Sequence, residues 1–191
     1  MDDLPICGDG GWTLTMKIDG KTSNLNYNSE YWTNKEPLNA EKGLGLNDDA
    51  AKLPTYWSTP LTKICLGMKS PGQSTKWIKL RLHYTATSLL TVITDDDKKP
   101  FVLLGATKWR DILAPTTTLK GQYNEGVNVV NHGAEVRLGI AGYDNNTSLD
   151  DYLGVGTFGW HTSEGGVSCG YGQAGRSRAT KNPAFCYIFV Q

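Results

Sequence analysis

From Trp12 the chain alternates: Trp12, Leu14, Met16 and Ile18 are apolar, and Thr13, Thr15 and Lys17 between them are not. A period of two predicts a half-buried strand with those four apolar residues on one face, closed by the turn signal Asp19-Gly20. Thr62–Met68 repeats the alternation, with Ile64, Leu66 and Met68 on one face. Ser70-Pro71-Gly72-Gln73 predicts a turn, and Trp77–Leu82 the returning strand of a hairpin. Gly126–Asn131 and Ala134–Ile140 read as strands around a turn at His132-Gly133. Phe185–Val190 is a core strand by composition.

Helix signals are few and short. Asn47 and Asp48 are alternative caps for one helical turn over Ala50–Leu53. Pro54 and Pro60 bracket Tyr56-Trp57 and forbid a long helix there. Trp109–Leu113 reads as one turn stopped by Pro115, and Leu89–Ile93 is a short apolar run. Residues 21–48 are polar and aromatic without period, a long loop that Tyr27, Tyr31 and Trp32 anchor by packing. Asp95-Asp96-Asp97, followed by lysines and Pro100, reads as a solvated turn rather than a metal cluster. No repeat or linker divides the chain. The expectation is a single α+β domain over residues 1–191, β-rich, with short helices and long loops.

Composition narrows the partners. Apolar residues make up 39% of the chain, enough for a sizeable core. The formal net charge is zero, which argues against nucleic acid, since phosphate binding asks for a basic face. No apolar run approaches the roughly 18 residues of a membrane span. The opening, Met1 to Trp12, lacks the charged-then-apolar order of a secretory leader, and a chain cut from a longer precursor is one way to account for that.

The four cysteines, Cys7, Cys65, Cys169 and Cys186, form no C-x-x-C pair that would suggest zinc. Three disulfide pairings are open. Shared placement late in the chain favours Cys169 with Cys186, leaving Cys7 with Cys65; buried free thiols in a cytosolic protein are the alternative. Asn145-Asn146-Thr147 and Asn146-Thr147-Ser148 match the N-glycosylation acceptor pattern and fit a secreted protein.

The stretch richest in chemistry is Gly139 to Glu164. Asp144, Asn145, Asp150 and Asp151 offer the oxygen donors that Ca²⁺ needs, about six to eight per ion. Leu153-Gly154-Val155-Gly156 follows, read as a bend that turns carbonyls inward, and then Trp160, His161 and Glu164. With Tyr171 and Arg176 these supply aromatic faces and polar groups suited to a sugar ring. A polar surface loop followed by a buried glycine-rich strand is the competing reading. Catalysis has little support: there are three histidines and no nucleophile elbow, H-E-x-x-H or phosphate loop.

Several blocks resemble a known family. Cys7-Gly-Asp-Gly-Gly-Trp-Thr-Leu14 resembles the entry of fibrinogen-like domains and of intelectins, the X-type lectins. Asn47-Asp48-Asp49, Tyr56-Trp57 and Ile64-Cys65-Leu66-Gly67 are similar to the acid-rich helix and the strand that follow in that fold. Gly133–Ile140, Leu153–Gly156, Cys169-Gly170 and Ala184–Val190 resemble the intelectin C-terminal half. The whole chain is similar to cnidarian extracellular fibrinogen-related and skeletal-matrix domains. The resemblance implies a fibrinogen C-terminal or intelectin-like fold, Ca²⁺ and carbohydrate recognition outside the cell. Intelectins hold the sugar-coordinating calcium with Asn, His and Glu; the matching positions here fall near Thr147, Asp150 and His161, so the ligand types are not kept. The basic run Gly175–Lys181 also departs, standing where the cnidarian relatives have acids.

The expected function is therefore an extracellular, secreted, Ca²⁺-dependent lectin domain binding glycans or glycoproteins. The expected site comprises Trp160, His161, Glu164, Tyr171 and Arg176, with Asp144, Asn145, Asp150 and Asp151 on the metal. It is not expected to be an enzyme or to span a membrane, and homo-oligomerisation is left open. The alternative is a structural or adhesive matrix module in which Ca²⁺ only stabilises loops.

Overall fold

The computed structural model describes all residues but 2, 23, 98, 114–121, 145–148, 160–166 and 174–181; of residues 3, 112–113, 122, 143–144, 149–151, 167–168, 170–173 and 182 it describes the backbone only. The strands in chain order are β1 (Asp3–Leu4), β2 (Gly8–Asp9), β3 (Thr13–Asp19), β4 (Ala51–Lys52), β5 (Leu61–Lys69), β6 (Lys76–Ala86), β7 (Gln122–Asn131), β8 (Ala134–Asp144), β9 (Leu149–Gly159), β10 (Val167–Gln173), β11 (Asn182–Pro183) and β12 (Phe185–Val190). The helices are α1 (Thr55–Ser58), α2 (Leu89–Thr94) and α3 (Ala106–Leu113). The first sheet has the order β4-β3-β12-β5-β6, all antiparallel. The second has the order β11-β10-β9-β8-β7, antiparallel through β7, β8 and β9 and parallel through β9, β10 and β11. The expected β-rich architecture with short helices is what forms.

One core joins the sheets. Met16, Ile18, Ile64, Leu66, Ile188 and Val190 of the first pack in the same cluster as Val127, Leu138, Ile140, Leu153 and Val155 of the second. Leu89, Val92, Ile93 and Trp109 close it from α2 and α3. α2 starts where Ser88 Oγ accepts the Thr91 backbone N–H, an N-cap that turns the Leu89–Ile93 run into a helix. α3 begins at Ala106, three residues before the expected Trp109.

Two expectations fail for physical reasons. Trp12, Leu14, Met16 and Ile18 do not share a face. The register against β12 slips between Ile188 and Phe189, pairing Ile188 with Met16 but Phe189 with Leu14. The extra residue, Thr15, is buried and donates its hydroxyl to the Ile188 carbonyl at 2.8 Å. This bulge sends Trp12 and Leu14 to the outer cluster, while Met16 and Ile18 stay inside. The Ala50–Leu53 helical turn is likewise strand: Lys52 pairs with Met16 and exchanges both backbone hydrogen bonds with Leu38, at 2.8 and 3.1 Å. Long-range pairing overrides the local cap signal, and the helical turn forms later, over Thr55–Ser58.

Both disulfides form with the favoured pairing. Cys7–Cys65 fixes the N-terminal segment on the outer face of the first sheet, and Cys169–Cys186 joins β10 of the second sheet to β12 of the first. The long loop also ties the sheets together. Trp32 is buried and its ring lies against Gly156 of β9, where a Cβ would meet it at 2.6 Å. Arg137 donates to the Tyr27 carbonyl and to Asn128 Oδ1, both at 2.7 Å, and stacks over the Tyr27 ring. Among the described residues no helix is long and apolar enough to cross a membrane.

Candidate functional site

Three expected metal ligands fall on described backbone. Asp144 ends β8 and pairs with Leu149; Asp150 and Asp151, in the first turn-side positions of β9, pair with Tyr143 and Gly142. The antiparallel hairpin thus gathers three carboxylate-bearing residues at its turn end. The side chains of all three, and Asn145 entirely, lie outside the described residues. Among the described residues no group of three or more His, Cys, Asp and Glu is arranged to hold a metal.

The glycine-rich run is not a bend. Leu153–Gly156 lies within β9. Gly154 pairs with Gly139 of β8, and a Cβ on either would drive into the backbone of the other strand. Gly139 and Gly154 let β8 and β9 approach closely, and Gly156, at φ 61°, makes room for the Trp32 ring.

β9 therefore separates what the sequence places together. It runs extended to Gly159, so the chain leaves for residues 160–166 at the end opposite the acids, roughly 25–30 Å away at about 3.3 Å per residue. Parallel pairing gives that end its own neighbours. Gly159 pairs with Gln173, and Tyr171 with Thr157. The segments carrying Trp160, His161 and Glu164 and carrying Arg176 hence start from adjacent rungs. Those four residues, and the Tyr171 side chain, lie outside the described residues.

A further site, which no contiguous motif announces, lies on the outer face of the first sheet. Phe185, Tyr187 and Phe189 alternate outward from β12. Trp77 stacks on Tyr187 with centroids 6.2 Å apart, which requires Gly67 between them: a Cβ there would meet the Trp77 ring at 2.5 Å. This aromatic layer is covered by loop and N-terminal backbone, so the face must supply hydrogen-bond donors. Tyr187 donates to the Leu46 carbonyl and to Asp48 Oδ1, Lys17 to the Lys42 carbonyl and Asn47 Oδ1, and Lys79 to the Cys7 carbonyl.

At the turn end of this layer a cleft of about 350 Å³ opens between Asp19, Lys21, Asp48, Lys69, Pro183 and Phe185. Asp48 is gripped by Lys69 at 2.8 Å; this bond, then that from Tyr187, holds its carboxyl below the usual range. Burial, then Asp48, pushes the Tyr187 phenol up. On the other side of the sheet Lys52 is fully buried among Tyr31, Tyr56 and Trp57, 4.9–5.7 Å from the ring centroids, and donates to Asn34. Burial lowers its ammonium to about 8. It pins the loop as a cation among aromatic faces.

Compared with known proteins, the chain matches no family model, no curated protein and no solved structure.

Proposed function

We propose that the chain is an extracellular carbohydrate-binding domain whose two chemistries sit at opposite ends of the second sheet. Ca²⁺ is held at the hairpin end by Asp144, Asn145, Asp150 and Asp151. Glycan is held at the other end by Trp160, His161, Glu164, Tyr171 and Arg176. The observation that carries this reading is the parallel β9–β10 pair, which starts the aromatic segment and the basic segment from adjacent rungs, Gly159 and Gln173. A flat ring beside hydrogen-bonding and cationic groups suits an acidic or neutral saccharide. Two disulfides support an oxidising, extracellular setting. The fibrinogen-like or intelectin-like resemblance points the same way.

A glycan array tests it. Reproducible hits that Trp160→Ala abolishes, at unchanged melting temperature, are expected. Silence across the array with the fold intact leaves a structural or adhesive matrix module in which Ca²⁺ only stabilises the hairpin.

A further inference from the structure

The cleft beside Phe185 is built from three adjacent strands and one loop. Asp19, Phe185 and Lys69 form a single row across β3, β12 and β5. Directly opposed residues of antiparallel strands share a face, and neighbouring strands lie about 4.8 Å apart. The row thus sets a carboxylate and an ammonium roughly 10 Å apart at the backbone, with an aromatic ring between them. The groups around it are held in place. Asp19 Oδ1 accepts the Lys21 backbone N–H at 2.9 Å, closing the turn. Asp48 is bonded by both Lys69, at 2.8 and 3.0 Å, and Tyr187, at 3.0 Å. The Lys21 ammonium faces Asp48 closely enough to help hold its carboxyl in the charged form.

The arrangement selects a ligand by its hydrogen-bonding type. Two carboxylates and two ammoniums give the cleft no net charge. A ligand anion meets Asp19 and Asp48 as well as the two lysines, and a cation the two lysines as well as the aspartates, so charge favours neither. A hydroxyl does what neither can: it accepts from the ammonium and donates to the carboxylate beside it. Both are charge-assisted bonds, the stronger kind. The remaining wall, Phe185 and Pro183, offers apolar surface to C–H groups. The volume, about 350 Å³, lies at the small end of ligand pockets, about 300–1,000 Å³. It has room for one or two sugar rings.

We propose that this cleft is a second, calcium-independent subsite for a neutral polyol, a single sugar ring above all. It lies on the first sheet and uses none of the residues assigned to Ca²⁺ or glycan on the second. It is in this respect independent of the function proposed above.

The test is an amide chemical-shift titration of the whole chain in EDTA. The probes are the methyl glycosides of glucose, galactose and mannose, with glycine as a zwitterionic control. At least one glycoside should give saturable shifts at Gly20, Lys69, Gly72 and Ala184, with a dissociation constant on the order of 1–10 mM. Asp48→Asn keeps an acceptor for Tyr187, and Lys69→Met keeps the aliphatic stem. Each should weaken binding about tenfold, and Trp160→Ala should not weaken it at all. No saturable shift from any glycoside, shifts that need Ca²⁺ or Trp160, or shifts from glycine alone would overturn the proposal. Shifts that need Ca²⁺ or Trp160 would do so while leaving the second-sheet reading standing. Binding in EDTA with a silent array would do the reverse.

Discussion

At one end of the second sheet, Asp144, Asp150 and Asp151 are neighbours because β8 and β9 form an antiparallel hairpin. At the other, Gly159 and Gln173 are neighbours because β9 and β10 run parallel. The first kind of neighbourhood comes from residues close in sequence around one turn. The second needs a crossover and joins segments that are separate in the chain. The same strand, β9, serves both, so a change at either end can be made without touching the other. The metal and the glycan proposed for the two ends are then separable by mutation, whereas a single compact site would lose both together.

The largest effects should come from what the two ends share. Gly154 sits at φ 151° against Gly139, and a Cβ there would collide with the Leu138 carbonyl. Backbone cannot step aside as a side chain can. Gly154→Ala should cost about 3 kcal/mol or more in denaturant unfolding and impair both ends. Gly67→Ala, which meets only the Trp77 ring, should cost about 1–2 kcal/mol and impair neither. Equal costs for the two would contradict the close approach of β8 and β9.

Removing the disulfides should have effects of similar size. The bond Cys169–Cys186 spans 17 residues and Cys7–Cys65 spans 58. Chain entropy assigns them about 3 and 4 kcal/mol respectively. Cys169→Ala/Cys186→Ala should also weaken glycan binding, because β10 is then no longer tied to the first sheet. Cys7→Ala/Cys65→Ala should leave it unchanged. If the second pair of substitutions abolished the array signal and the first did not, the glycan would not be bound at the β9–β10 end.

A pH series reports on the loop that spans the sheets rather than on either end. Lys52 has its ammonium lowered to about 8 by burial, Glu36 opposing weakly. Below pH 8 both folded and unfolded chains carry the proton, and the cost of burying the charge is felt in full. Between pH 8 and about 10 the folded chain has released it and the unfolded chain, near 10.4, has not, so stability rises with pH. Lys17, lowered in the same direction by burial, adds to this rise. The melting temperature should increase across that window, and less in Lys52→Met. A fall across the window in the wild type would contradict the burial.

Most strands can be read directly in the chain, because alternation survives wherever one face of a strand meets the core. β5, β7, β8 and β12 lie where their apolar pattern puts them. The bulge at Thr15 is invisible locally, since it exists only against β12. Lys52 reads as helix from its caps but is claimed by Leu38 and Met16, both distant. The acids and Trp160 look like one cluster in sequence, because aspartates and glycines disguise the strand between them. The cleft is the extreme case: Asp19, Asp48, Lys69 and Phe185 come from four separate segments. The Asp19–Phe185–Lys69 register brings three of them together, and hydrogen bonds from Lys69 and Tyr187 add Asp48.

The separation of metal from ligand is tested most directly by melting the protein in EDTA and in millimolar CaCl₂. Extracellular sites bind Ca²⁺ with Kd of about 10⁻⁴–10⁻³ M, and at tenfold excess linkage contributes about 1.4 kcal/mol. The account predicts a rise of about 2–6 °C in calcium for the wild type and for Trp160→Ala, and none for Asp150→Ala/Asp151→Ala. Identical melts in both buffers, or a calcium response that Trp160→Ala removes, would contradict it.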